Sequence, residues 1–227
     1  MNLKKFVINL KRRPDRLAQF FERCPFPQNE IEIVHGFDGK NPQLESEEEQ
    51  EMFNTRFNAK QSIPCQVRNP GEKGVFISHV RIWKKMMNEN IHSALIFEDD
   101  ALFNSNFLDV FNEINNFESF DENELLFYLG GRFKQNHMTK AECVDTITKN
   151  IICYNYSSYD GHSQDRTCHA YILNKKTAEL YLQLFKNNSV FHHVDHFMTI
   201  PFREQFIPIY STQPLICWSP SGDSDIR

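Results

Sequence analysis

Short apolar runs, broken by charged and turn-forming residues, set the rhythm of this chain. Lys5-Phe-Val-Ile-Asn-Leu10 is apolar and β-branched and reads as a strand. After Pro14, the spacing of Leu17, Phe20, Phe21 and Cys24 predicts a helix. Ile31-Glu-Ile-Val34 alternates as a second strand and stops at the turn-rich Gly36-Phe37-Asp38-Gly39. From about residue 74 to 89, Phe76, Val80, Trp83 and Met87 fall on one helical face. Ala94-Leu-Ile-Phe97 is a compact apolar run of the kind found in buried central strands, and it ends abruptly in Glu98-Asp99-Asp100. Phe107, Phe111, Ile114 and Phe117 mark another helix, and Leu125 to Leu129 a strand that ends at Gly130-Gly131.

The second half is less regular. Strands are expected over Ile151 to Tyr154, Ala170 to Leu173 and Phe206 to Tyr210, and helices over Lys175 to Phe185 and Asp195 to Ile200. Strands and helices alternate in the way of a mostly parallel α/β sheet flanked by helices. No repeat or low-complexity linker interrupts the pattern, so a single domain over residues 1–227 is expected.

Composition narrows the function. With 25 Lys+Arg against 30 Asp+Glu the formal charge is −5, which disfavours a nucleic-acid binder that blankets phosphates. No run approaches the roughly 18 apolar residues of a membrane span, and Met1 to Leu10 is too weakly apolar for a signal peptide, so a cytoplasmic location is expected. The six cysteines, Cys24, Cys65, Cys143, Cys153, Cys168 and Cys217, show no zinc spacing and read as free thiols. Sequons at Asn155 and Asn187 carry weight only in a secreted context. Residues 45–57 are acidic and read most simply as a solvated helix or mobile excursion, able to close over a site.

The sharpest chemical feature is Glu98-Asp99-Asp100. Three acids directly after a buried strand repel one another, and a divalent cation relieves the repulsion; hard oxygen ligands select Mg²⁺ or Mn²⁺. In strict alternation Glu98 and Asp100 share one side while Asp99 points elsewhere. A solvated strand end or helix cap is the plainer alternative. The basic cluster Lys11-Arg12-Arg13 with Arg16 follows the first strand, where an α/β fold meets phosphates; a solvated helix start accounts for it equally well. His193 and His196 have the spacing of a metal pair but lack a third partner, which favours a His-rich surface helix.

Taken in order, Ile8-Asn-Leu-Lys-Arg-Arg-Pro-Asp-Arg16, Phe37-Asp-Gly39, Gly71-Glu-Lys-Gly-Val-Phe-Ile-Ser-His79 and Leu95-Ile-Phe-Glu-Asp-Asp100 resemble the signatures of the family 25 glycosyltransferases. That family includes bacterial lipooligosaccharide galactosyltransferases and animal collagen galactosyltransferases. Leu129-Gly130-Gly131, Ala170-Tyr-Ile-Leu173, Val194-Asp195 and Asp223-Ser-Asp-Ile226 extend the likeness over nearly the whole chain.

The resemblance implies a GT-A-like fold, a UDP-sugar donor, and a glycan or glycosylated-protein acceptor. Glu98 and Asp100 would hold Mn²⁺ or Mg²⁺ across the donor's two phosphates, with Asp223 or Asp225 completing the shell. Asn9, Arg12 and Arg13 would lie against the nucleotide or its phosphates, and Asp38 with Gly39 against base or ribose, although Asp-Gly is also simply a turn. Ser78 and His79 fall near the donor pocket, as does Asp99; a lone His on an apolar helix is also an ordinary hydrogen-bonded core residue. An inverting transfer needs a general base for the acceptor hydroxyl, and Asp195, at the start of a short helix, fits either that role or an N-cap. Val75 stands where many relatives have Cys, and the acidic stretch has no counterpart. An acid-cluster phosphotransferase or nucleotidyltransferase, and a non-catalytic binding domain, are the alternatives.

Overall fold

The computed structural model of the protein describes residues 3–57, 67, 69–116, 123–131, 142–155, 167–187, 193–205, 207 and 209–219. Strand β1 (Lys4–Asn9) leads through helix α1 (Pro14–Arg23) to β2 (Ile31–His35). Helices α2 (Glu47–Thr55) and α3 (Pro70–Asn88) precede β3 (Ser93–Glu98) and the short β4 (Leu102–Phe103). Helix α4 (Phe107–Asn115) is followed by β5 (Leu126–Tyr128), β6 (Gly130–Gly131), β7 (Glu142–Thr146), β8 (Ile151–Asn155) and β9 (Ala170–Asn174). The order closes with α5 (Lys175–Asn187), α6 (Val194–Glu204), β10 (Ile209–Thr212) and β11 (Cys217–Trp218).

Among the described residues, eight strands form one sheet in the order β2-β1-β3-β9-β5-β10-β8-β7, and β4-β11-β6 form a small second one. Six strands of the large sheet point one way. Only β8 and β9 run against their neighbours. The architecture is the expected mostly parallel α/β sheet flanked by helices, a Rossmann-like arrangement consistent with a GT-A-like fold.

The alternation of side chains explains how both faces are covered. Along β3, Ala94 and Ile96 join one core while Leu95 and Phe97 join the other. Phe76 and Trp83 of α3, Tyr181 of α5 and Phe197 of α6 pack on the first face. Phe20 of α1 and Phe107, Phe111 and Ile114 of α4 pack on the second. A strand buried on both sides has no room for polar residues, which is why this run reads as uninterrupted apolar sequence. Truncating a fully buried aromatic such as Trp83 in such a core costs about 3–5 kcal/mol.

Several boundaries differ from the periodicity, among them that of β10, which spans Ile209–Thr212. Helix α3 begins at Pro70 rather than near 74, because Asn69 and Glu72 form a reciprocal capping box and Pro70 takes the first helical position. Helix α6 runs past Ile200 and through Pro201 to Glu204. Phe117 and Phe206 lie outside the described residues. Cys24, Cys153, Cys168 and Cys217 are free thiols. Among the described residues, no helix is long and apolar enough to cross a membrane.

Candidate active site

Strand β1 has parallel neighbours on both sides, and the connections that link the three strands lie on opposite faces, α1 between β1 and β2 on one and α3 between β2 and β3 on the other. That reversal opens a crevice beyond the carboxyl ends of β1 and β3. The crevice is a cleft of about 640 Å³, measured up to its open mouth. Ile8, Leu10, Phe37 and Val75 form its apolar part, and Arg12, Arg16, Lys40, Glu98, Asp99 and Asp100 its charged part.

Glu98 is the last residue of β3, and a turn closed by the Ala101 amide on the Glu98 carbonyl carries Asp99 and Asp100. The antiparallel course of β9 brings His169, which precedes that strand, to the same edge, where the Glu98 amide donates to the His169 carbonyl at 3.0 Å. His169 Nδ1 lies 2.9 Å from Glu98 Oε2, an ion pair by distance. Burial works against both charges, but each group outweighs it for the other: Glu98 is held well below the carboxylate range, and His169 is raised. Glu98, Asp100 and His169 each present one ligand atom within 4.8 Å of the others. Asp100 Oδ1 is buried without a hydrogen-bond partner. Two carboxylates, one of them with an orphaned oxygen, and an imidazole are a donor set that fits a divalent cation.

Asp99 turns away from this cluster. Its carboxylate takes the Asn9 amide at 2.7 Å and pairs with Arg16, which also reaches Asp100 at 3.3 Å. Burial dominates there and raises the Asp99 carboxyl to about 6 despite the Arg16 charge. Asn9 also donates to the Arg13 carbonyl at 2.9 Å, so it ties the end of β1 to the start of α1.

The other expected donor residues are distributed unevenly. Arg12 lies on the cleft wall, paired with Asp38 at 2.8 Å. Arg13 is not among the lining residues, and its guanidinium is spread over Asp15. Asp38 lines the cleft and also caps its own turn, accepting from Asn41 and the Lys40 amide; burial pushes its carboxyl up, but those bonds and Arg12 hold it below the usual range. Gly39 is forced by contact: a Cβ there would meet the Pro70 carbonyl oxygen at 1.8 Å. The Ser78 hydroxyl accepts from the Phe37 amide at 2.8 Å and donates to the Gly74 carbonyl at 2.7 Å, pinning the turn to α3. His79, fully buried, contacts Tyr171 and Glu98.

Asp195 does not line the cleft. It lies in the first turn of α6, where its Oδ1 accepts the Cys168 amide at 3.0 Å and the Cys168 thiol at 2.6 Å. Cys168 and His169 therefore hold the candidate base and the candidate metal cluster from adjacent positions. His193 meets Glu72 at 3.5 Å. Among the described residues, the Glu98–Asp100–His169 group is where metal-ligating side chains converge. Asp223 and Asp225 lie outside the described residues.

The acidic stretch forms helix α2, with Glu47, Glu48 and Glu51 exposed and its other side docked. Phe53 of α2 is buried and stacks on Phe37, while Arg81 of α3 pairs with Glu45 and Glu49 and donates to the His35 carbonyl. Glu45 in turn accepts the Asp38 amide at 3.0 Å, which ties this helix to the cleft wall. Arg81→Ala is expected to cost about 1–3 kcal/mol. Burial would raise the Glu49 carboxyl, but Arg81 lowers it below its ordinary value of 4.5. Its stabilisation is therefore present above pH 4.5 and lost as pH falls through the lower folded value. Melts at neutral and acidic pH check this: wild type should lose more stability on acidification than Arg81→Ala.

His169 and Arg16 are the site residues that motif reading did not single out. Arg16 stood in the basic cluster without a role, and only the chain path shows it reaching Asp99 and Asp100. His169 directly precedes a predicted strand, but nothing local says that the strand enters the sheet reversed beside β3.

A family model described as Glycosyltransferase family 25 (LPS biosynthesis protein) matches residues 2–198. A Drosophila melanogaster protein named "Glycosyltransferase 25 family member" is 33% identical over 150 residues, 63% of this chain and 23% of that protein. The Homo sapiens "Procollagen galactosyltransferase 2" is 33% identical over 104 residues, 45% of this chain and 16% of its own length. A Bos taurus protein named "Probable inactive glycosyltransferase 25 family member 3" is 30% identical over 112 residues, 45% of this chain and 17% of that one. The matched region thus spans less than a quarter of the length of these curated relatives.

Proposed function

The chain belongs to glycosyltransferase family 25, and on that premise we propose that it moves a hexose, galactose or glucose, from a UDP-sugar to a hydroxyl of a glycan or glycosylated protein, with inversion at the anomeric carbon. The observation that carries this reading is the convergence of His169 on Glu98 and Asp100, two acids that line a cleft with both charged and apolar walls. An apolar slot suits a nucleobase and sugar ring, and charged walls suit a diphosphate.

In this proposal Glu98, Asp100 and His169 hold Mn²⁺ or Mg²⁺. Bound there, the ion would supply positive charge against the diphosphate leaving group. Arg12 and Arg16 present guanidinium groups on the cleft wall, each oriented by an acid, Asp38 for the first and Asp99 with Asp100 for the second. Asp38 and Gly39 flank the apolar slot as the base and ribose contacts. Ser78 holds that turn in place from below. Asp195 takes the acceptor hydroxyl proton on its Oδ2, since Oδ1 is occupied by Cys168.

Release of UDP from a panel of UDP-hexoses, with and without Mn²⁺, tests the proposal. Slow metal-dependent hydrolysis of at least one donor is expected even without an acceptor. If no donor is bound or hydrolysed, the assignment fails. Turnover of a nucleoside triphosphate instead points to phosphotransfer, and donor binding without any turnover to the non-catalytic reading that the name of the bovine relative raises.

A further inference from the structure

Glu98 uses both of its oxygens. One faces His169, and the other, Oε1, lies 3.2 Å from His79 Nε2. His79 sits in the middle of α3, fully buried, and its second nitrogen, Nδ1, lies 2.8 Å from the hydroxyl of Tyr171. Tyr171 is itself fully buried, on β9, two residues beyond His169. A histidine whose only purpose is to fill the core needs no such alignment.

The direction of the chain of hydrogen bonds follows from its ends. Glu98 is ionised and can only accept, so His79 must carry its proton on Nε2 and donate to Oε1. Nδ1 is then the bare nitrogen, and the Tyr171 hydroxyl must donate to it. The tautomer of His79 is thus set by Glu98, while the Tyr171 hydroxyl, which fits it by donating to Nδ1, holds the ring in place from β9.

We propose that Tyr171 and His79 form a buried relay that positions Glu98 as a divalent-cation ligand, with Tyr171 holding the His79 ring and His79 orienting the carboxylate. The inference rests on Glu98 being a metal ligand and adds the residues that hold it ready. Groups behind a ligand typically change metal affinity by about 10–100-fold when removed.

The test is Mn²⁺ binding, read from the loss of the free-ion electron paramagnetic resonance signal, on the full chain without donor or acceptor. Tyr171→Phe keeps the ring packing and removes only the hydroxyl; it is expected to weaken Mn²⁺ binding by about tenfold or more. His79→Asn loses the contact to Glu98 and should weaken binding at least as much. His79→Gln places its amide nitrogen where Nε2 stands, and should recover most of the affinity. Near-ultraviolet circular dichroism checks folding, and should His79→Asn fail to fold, Tyr171→Phe with His79→Gln decides. If wild type binds Mn²⁺ and Tyr171→Phe binds it equally well, the relay is overturned while the metal reading stands. A wild type that binds no Mn²⁺ overturns both.

Discussion

Glu98→Ala combined with Asp100→Ala is expected to lower sugar transfer by about 10³-fold or more, because several kcal/mol of charge stabilisation at the leaving diphosphate goes with the ion. Mn²⁺ binding should disappear with it. Stability should respond differently. Asp100 Oδ1 is buried without a partner, so removing that carboxylate relieves a desolvation cost, whereas removing Glu98 leaves His79 and His169 without their acceptor. The two changes oppose each other, and a thermal melt within a few degrees of wild type is expected. Steady-state rates on the best donor of the panel, alongside the melt, settle the matter. A folded double variant that still transfers sugar at a near-native rate would refute the metal-dependent mechanism.

Asp195→Asn should act on turnover alone. Its Oδ1 can still accept the Cys168 amide, so α6 stays anchored, but the side chain no longer takes a proton. A fall in kcat of about 10²–10⁴-fold is expected from loss of a general base. KM for the donor should stay unchanged, since Asp195 lies outside the residues that line the cleft. An Asp195→Asn enzyme with native kcat means that another group accepts the proton. A large rise in donor KM would instead place Asp195 on the donor side.

What the sequence made legible was local. The double-sided burial of β3 shows directly as Ala94-Leu-Ile-Phe97, and the acids that follow it mark the functional edge without any structure. The cap of α3 was also written in the chain, as Asn69, Pro70 and Glu72, even though apolar spacing alone starts the helix later. Long-range pairing was not legible. Arg81 lies more than thirty residues from Glu45 and Glu49, so the docking of one side of the acidic helix could not be read from the chain, whereas its exposed acids could. The family resemblance implies Arg13 against the nucleotide or its phosphates, and its pairing with Asp15, two residues on, is a local contact that the resemblance does not include. His169 depends on strand direction, which no periodicity encodes.

The reversal of β9 also orders the making of the protein. Synthesis runs from the amino end, and a chain emerging from the ribosome shows Glu98 and Asp100 long before β9 exists. Cys168, His169 and Tyr171 then arrive within four residues, bringing the partner of Asp195, the third member of the metal cluster and the partner of His79 together. Because β9 is laid between β3 and β5, seating that one strand in the middle of the sheet brings His169 to Glu98 and Tyr171 to His79 together, while Cys168 meets Asp195 only once α6 has followed. A nascent chain that stops short of β9 has the acids of β3 but neither His169 nor Tyr171 to set against them.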